Sequence, residues 1–373
     1  MSKVKAKRLG DLINFKRGYD LPETQRKPGP YPVISSAGIS GYHDEFKAEG
    51  EGVVTGRYGT LGTMYYISGR YWPHNTSLYI NNFKGNNPKY IYYLLNCLGR
   101  IRTFDKSAVP GVNRNELHEM AVPVVEDKIQ QQKIAAVLSA LDAKIELNNR
   151  INTELEAMAK TLYDYWFVQF DFPDVNGKPY KTSGGKMVYN DTLKREIPDG
   201  WDVAYIEDVL QNIPSKTKIP SKDVLSEGKY PVIDQSTDYI CGFTNDSNAI
   251  IESEEPIIIF GDHTRILKLI NFSFARGADG TQVLLSKYVR LPQHLFFHSL
   301  LKIDLSNYGY ARHFKFLKQS KIVLPEIKVA TEFEGIASNN YGLIKLNTFQ
   351  NRQLAQLRDW LLPMLMNGQV RVN

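Results

Sequence analysis

The sequence holds side chains capable of chemistry, but not in catalytic arrangements. The histidines are His43, His74, His118, His263, His294, His298 and His313. None has metal-ligand spacing, and His294 and His298, four apart, lack the glutamate of a His-Glu-x-x-His helix. Asn87-Pro88-Lys89-Tyr90 approaches the Asn/Asp-Pro-Pro-aromatic motif of an adenine methyltransferase but has no second proline. No glycine-rich loop for a methionine-derived cofactor opens a βα unit before it. Gly184-Gly185-Lys186-Met187 lacks the spaced first glycine and the Ser/Thr of a phosphate-binding loop. Pro198-Asp199 with Glu227-Gly228-Lys229 is too short and degenerate to be a nuclease core, and no Gly-x-Ser-x-Gly elbow occurs. Cys97 and Cys241 stand far apart without Cys or His partners, which excludes a zinc ribbon or disulfide framework and fits a reducing cytoplasm. Catalytic residues and metal ligands are therefore both expected to be none.

What remains is recognition chemistry. Gly56-Arg57-Tyr58-Gly59-Thr60 follows the apolar run Val53-Val54, and Gly261-Asp262-His263-Thr264-Arg265 follows Ile258-Ile259. Both are expected on loop tips. Arg57 and Arg265 can fork onto guanine O6 and N7, and Asp262 can accept from cytosine N4. His74-Asn75-Thr76-Ser77, after Arg70-Tyr71-Trp72, aligns with Asp279-Gly280-Thr281-Gln282, after Arg276; Asn75 or Gln282 can pair bidentately with adenine. Lys16-Arg17-Gly18, Asn113-Arg114, Lys216-Thr217-Lys218 and Arg312-His313 suit phosphates. The plainer alternative for each is a solvated turn whose polar groups serve its own backbone.

The elements that must position these residues repeat. Tyr31-Pro32-Val33-Ile34 recurs as Tyr230-Pro231-Val232-Ile233, Val53-Val54-Thr55-Gly56 as Ile258-Ile259-Phe260-Gly261, and Val122-Pro123 as Leu324-Pro325. Ile145-Glu146-Leu147-Asn148 recurs as Ile344-Lys345-Leu346-Asn347. Conserved order at an offset of about 200 residues marks an internal repeat. The first part of each copy carries short apolar runs bounded by Gly, Asn and Pro, which read as strands, with helices over Pro88–Arg102 and around Gln293–Leu301. The second part nearly loses Gly and Pro. There Asn148, Ile151, Leu155, Met158, Leu162 and Tyr165 step by 3 and 4, as do Asn347, Gln350, Leu354, Leu357, Leu361 and Met364. This is a coiled-coil seam, with Asn148 and Asn347 as register-fixing polar positions.

Lys and Arg total 46 against 40 Asp and Glu, a net charge of +6. That permits a nucleic-acid partner and excludes a histone-like polycation. A hydrophobic fraction of 42% supports a real core. No early apolar segment or apolar run near 18 residues suggests a signal peptide or membrane span. The expected fold is α+β: two mixed α/β heads joined by two long antiparallel coiled-coil helices, with pseudo-two-fold repetition. The expected boundaries are 1–126 and 197–326 for the heads, 127–170 and 327–373 for the helices, and 171–196 for a linker. Two similar heads at a fixed separation suit double-stranded DNA, whose sites repeat by helical turn. A two-headed scaffold for protein partners is the competing reading.

The joint Trp166-Phe167-Val168-Gln169-Phe170-Asp171-Phe172-Pro173, the segment Asn176-Gly177-Lys178-Pro179-Tyr180 to Met187, Ile197-Pro198-Asp199-Gly200-Trp201, and the Gln131-Gln132-Lys133-Ile134-Ala135 helix opening resemble the specificity (S) subunit of type I restriction–modification enzymes. The resemblance covers essentially the whole chain. It implies two target-recognition domains reading a bipartite site, and helices that set the gap between half-sites. It also implies no catalytic activity in this chain, and a cytoplasmic complex with two modification and two restriction subunits. S-adenosylmethionine, ATP and Mg would belong to those partners. One departure stands out: the second helix opens with Phe333-Glu334-Gly335-Ile336, and Gly335 is expected to weaken its start.

Overall fold

The structure, a computed structural model, describes residues 4–57, 62–98, 113–213, 216–277, 280–309 and 312–372. The chain divides into two compact units: Met1–Asn148 with Phe349–Asn373, and Asn149–Thr348. The division cuts each long helix near its middle.

The first unit holds a six-stranded sheet. Its strands run in the order Asn14–Arg17, Ser77–Asn82, Ala48–Gly56, Met64–Pro73, Tyr31–Ser35 and Gly38–His43. The Tyr-Pro-Val-Ile strand pairs parallel with Met64–Pro73, Val33 opposite Trp72, while the central pairs are antiparallel. Helix Pro88–Cys97 starts at Asn87, whose side chain accepts from the Tyr90 N–H. Its apolar face joins Phe15, Val53, Leu78, Leu138, Leu365 and Met366 in one core.

The second unit distributes its strands over two sheets. One runs Gly242–Thr244, Tyr230–Ile233, Phe274–Arg276 and Ile250–Ile251; the other runs Leu267–Ile270, Ile257–Gly261 and Thr281–Leu284. Its Tyr-Pro-Val-Ile strand again pairs parallel, Val232 opposite Ala275. In both units an antiparallel pair precedes a long helix, Val4–Arg8 with Ala121–Val125 and Asp202–Tyr205 with Lys321–Leu324.

Residues 171–196 do not form a loose tether. Phe172 stacks on Tyr180 at 4.6 Å and on Trp201 at 5.0 Å, and the Asp171 carboxylate accepts from the Thr182 N–H and hydroxyl at 2.8 and 2.7 Å. Trp166, Phe167, Phe170, Phe172, Trp201 and Phe333 share one buried cluster. The aromatic density of the joint explains its order, because large rings bury much apolar area for little side-chain entropy.

His298 is buried in that core against Tyr341, whose hydroxyl lies 3.2 Å from Nε2. Burial, and secondarily His294, lowers its pKa to about 4. The ordinary imidazole value is about 6.5, so below it the unfolded chain takes up a proton that the folded chain refuses. Stability therefore falls as pH drops through that window. Between pH 6.5 and 5 the loss is expected to be roughly 2 kcal/mol. Denaturant midpoints of wild type and His298→Gln across this range check it; equal slopes would refute the assignment.

The long helices span Lys128–Tyr163 and Ile327–Met366. In the first unit Asn148 Nδ2 donates to Gln350 Oε1 and Asn351 Oδ1, both at 2.8 Å, and Arg358 meets Asp142 at 2.8 Å. In the second unit Asn347 Nδ2 donates to Asn152 Oδ1 at 2.9 Å. Numbers rise on one helix as they fall on the other, so the paired segments run in opposite directions within each unit.

The inward stripe differs in part from the expected seam. Asn148, Leu155, Leu162, Asn347, Leu354 and Leu361 face inward or are half-buried, but Ile151, Met158, Tyr165 and Leu357 are exposed and Gln350 lies on the outer side of the stripe. The intervening inward places belong to Asn152, Ala159 and Trp166, and to Asn351, Arg358 and Leu365. The steps are 4 then 3 rather than 3 then 4, which the sequence disguises by placing small or polar residues inside. Gly335 does not delay the second helix, which begins at Ile327, and a side chain there would meet nothing within 4 Å.

Candidate nucleic-acid interface

In the first unit a tight turn gathers six of the expected residues. Strand Ala48–Gly56 delivers Arg57, whose N–H donates to Thr76 O at 2.9 Å, and Gly56 stands opposite Ser77. Thr76 Oγ1 lies 3.0 Å from His74 Nδ1 and accepts from the Ser36 N–H at 3.4 Å. Arg17 Nε donates to Asn75 O at 3.4 Å, and the Asn75 amide donates to the Asp20 carboxylate. A Cβ at Gly18 would lie 2.1 Å from His74 O, so the close approach of these two segments requires glycine. Lys16 donates to the Tyr19 hydroxyl at 3.0 Å, and hydrogen bonds from Tyr79 and Lys16 pull the Tyr19 pKa down. Partial burial lowers the His74 pKa.

Other residues sit elsewhere. The Asn113 side chain caps helix Arg114–Glu119, accepting from the Asn115 N–H at 3.0 Å and donating to Glu116 at 3.1 Å, while Arg114 is exposed on its first turn. Tyr58 and Thr60 lie outside the described residues, as does Asp279.

In the second unit the Asp262 N–H donates to Gly280 O at 2.7 Å. Gln235 holds the tip: its Oε1 accepts from the His263 N–H at 3.1 Å and its backbone carbonyl from the Thr264 hydroxyl at 2.7 Å. Lys268, buried beneath, donates to Asp234 O at 2.8 Å and to Asp238 O, and burial lowers its pKa. Arg265 adopts φ +62 and reaches Leu305 O at 3.3 Å. Such a conformation is rare away from glycine and places the residue at the turn's apex. His263, Thr264, Arg265 and Arg312 are exposed.

Two expectations need correction. Asp262 is only 5% exposed and its Oδ1 accepts from the Phe314 N–H at 2.7 Å, so it caps helix Phe314–Lys318 rather than facing a base. His313 is 2% exposed, its ring nitrogens 2.9 Å from Asp262 O and 3.1 Å from Gly309 O. Both shape the loop from inside. The sequence pairing of Ser77 with Gln282 is also out by one: Gly261 stands opposite Thr281, because the turn after Arg276 is one residue longer than that after Pro73.

Lys216, Arg276 and Gln282 come together in a cleft of about 400 Å³, with Asn212, Phe314 and Lys318. Lys218 is exposed beside Ile219, whose N–H donates to Arg276 O at 2.9 Å. Sequence reasoning missed Ser36 and Gln235, although each lies two residues beyond the repeated Tyr-Pro-Val-Ile. Among the described residues no three His, Cys, Asp or Glu side chains converge on a possible metal, and no helix is long and apolar enough to cross a membrane.

Residues 1–157 match the type I restriction modification DNA specificity domain. The MjaIX specificity subunit of Methanocaldococcus jannaschii is 27% identical over 316 residues, covering 76% of this chain and 69% of the relative. The EcoprrI specificity subunit of Escherichia coli is 27% identical over 146 residues, 37% of this chain and 36% of the relative. The S subunit from M. genitalium shares the fold at a TM-score of 0.65 and 16% identity, covering 97% of this chain and 95% of that one.

Proposed function

We propose that this chain is the DNA-recognition subunit of a type I restriction–modification enzyme, non-catalytic itself, reading one half-site with each head. The observation that carries this is the common frame of the two tips. In each, the residue after a strand-ending glycine donates its N–H to the residue before the third strand, Arg57 to Thr76 and Asp262 to Gly280. The residues carried on that frame differ in type, Arg57, His74 and Asn75 on the first and His263, Thr264 and Arg265 on the second, as two half-sites of different sequence require.

The helices serve as an antiparallel coiled-coil spacer. Asn148 donates to Asn351 and Asn347 to Asn152, each four residues beyond the other helix's counterpart, which supports a pseudo-two-fold repeat. Met158, 59% exposed, and Trp360, 59% exposed, with Ile151, Tyr165 and Leu357, offer apolar surface to partner subunits. Those partners are two modification subunits, which bind S-adenosylmethionine and methylate adenine, and two restriction subunits, which use ATP and Mg.

Co-expression with a modification subunit, followed by single-molecule mapping of methylated adenines, tests this. A bipartite motif with a fixed spacer is expected. A stable complex that methylates no such motif would overturn the reading in favour of a protein-binding scaffold. Arg57→Ala is expected to weaken recognition at one half-site by about 1–3 kcal/mol. Equal loss on all sequences would make Arg57 a phosphate contact instead.

A further inference from the structure

The second head carries a recess that the loop tip does not account for. Its floor is apolar: Leu210, Ile213, Ile251 and Val283, with the Phe314 ring. Its polar groups divide into two kinds. Gln282, on strand Thr281–Leu284, with Gln211 and Asn212 contributes amides, while Lys216, Arg276 and Lys318 contribute three cations against one carboxylate, Glu207, among the described residues. Lys318 Nζ lies 5.4 Å from the centre of the Phe314 ring, which holds the ammonium at the rim. The Asp262 carboxylate that caps helix Phe314–Lys318 ties this wall directly to the reading loop.

An apolar floor with amides, inside an excess of positive charge, matches the edge of a base flanked by phosphates. Amides discriminate base edges, and ammonium groups take phosphate oxygens without regard to sequence. We propose that this cleft is the second head's base-reading subsite: Gln282 and Asn212 meet base edges, and Lys216, Arg276 and Lys318 meet the phosphates on either side. The proposal rests on the DNA-recognition reading above and extends it to Asn212 and to Lys318.

A side-chain amide favours adenine, offering a donor to N7 and an acceptor to the N6 amino group, whereas a carboxylate favours the cytosine N4 amino group. The test uses the full chain in complex with its modification subunit and compares methylated motifs genome-wide. Gln282→Glu is expected to replace adenine by cytosine at one position of one half-site, leaving the other half-site unchanged. Asn212→Ala, on an exposed segment, is expected to relax one neighbouring position. Binding of a labelled duplex carrying the wild-type motif, measured against salt, should show Lys318→Ala weakening cognate and unrelated duplexes alike, with the salt slope reduced by about 1. A wild-type complex with a bipartite motif, alongside variants that leave motif and salt slope untouched, would overturn the subsite alone. A wild-type complex with no motif would instead overturn the recognition reading on which it stands. Should Gln282→Glu prevent assembly, the outcome for Asn212→Ala and Lys318→Ala decides.

Discussion

Phe333→Ala is expected to destabilise the second unit by about 3–5 kcal/mol, the usual cost of emptying a large aromatic from a packed core. Phe333 is fully buried. Its ring lies 5.2 Å from Phe167 at right angles and within 6.2 Å of Tyr163, Trp166 and His298. These neighbours come from the end of the first long helix, the joint after it and helix Gln293–Leu301, so the cavity loosens three attachments at once. For a unit of about 200 residues the melting temperature should fall by roughly 10 °C. Calorimetry on wild type and variant measures this. Ile336→Ala, on the same helix but exposed, serves as the control and should change stability by no more than about 0.5 kcal/mol. Similar melting temperatures for wild type and Phe333→Ala would mean that the aromatic joint does not hold the unit together.

The second large effect concerns the spacer. Seven residues inserted into each long helix, between the inward positions 155 and 159 and between the half-buried Asn340, which donates to Leu155 O, and Ile344, preserve the 4-then-3 stripe and lengthen each helix by about 10 Å. With a base-pair rise of about 3.4 Å, the favoured gap between half-sites should grow by about three base pairs. Methylation at the native spacing should be lost and sites with the longer gap methylated instead. An unchanged gap in a folded, methylating complex would refute the ruler role.

The sequence made the architecture legible where one residue type carries one meaning. The recurring Tyr-Pro-Val-Ile falls on equivalent strands of both heads, and Asn148 and Asn347 fall at polar positions between helices. It misled where tertiary context reassigns a residue. Leu, Ile and Met look like seam residues wherever they recur, yet Ile151 and Met158 lie outside while Asn152 and Ala159 lie within. Asp262 and His313 read as exposed donors and acceptors but spend those groups on their own loop. The Gln131 opening and its missing counterpart also resolve. Gln131 accepts from the Asn87 N–H at 3.0 Å, and Glu334 accepts from the His294 and Leu295 N–H groups, so each holds the start of a head's helix. A carboxylate does in one copy what an amide does in the other, and a comparison of letters does not see that. The Lys216, Arg276 and Gln282 cleft was invisible for a simpler reason: its walls come from segments up to about 110 residues apart, and only the fold brings them together.

The first unit is assembled from Met1–Asn148 and Phe349–Asn373, whereas the second is one uninterrupted stretch. Leu365 and Met366 complete the core that Leu9, Val122 and Leu138 begin, and a Cβ on Gly368 would lie 2.6 Å from Val4. Order of synthesis therefore inverts order of completion. The unit that begins earlier in the chain waits for residues 349–373, which bring Leu365 and Met366 to its core, while the unit made later already has every residue it needs. Closing so long a loop adds little entropy beyond that of a shorter one, so the cost is one of waiting more than of stability. Chains stopped near residue 348 should for that reason fail in the part made earliest, presenting chaperones and proteases with an open first head beside a finished second one.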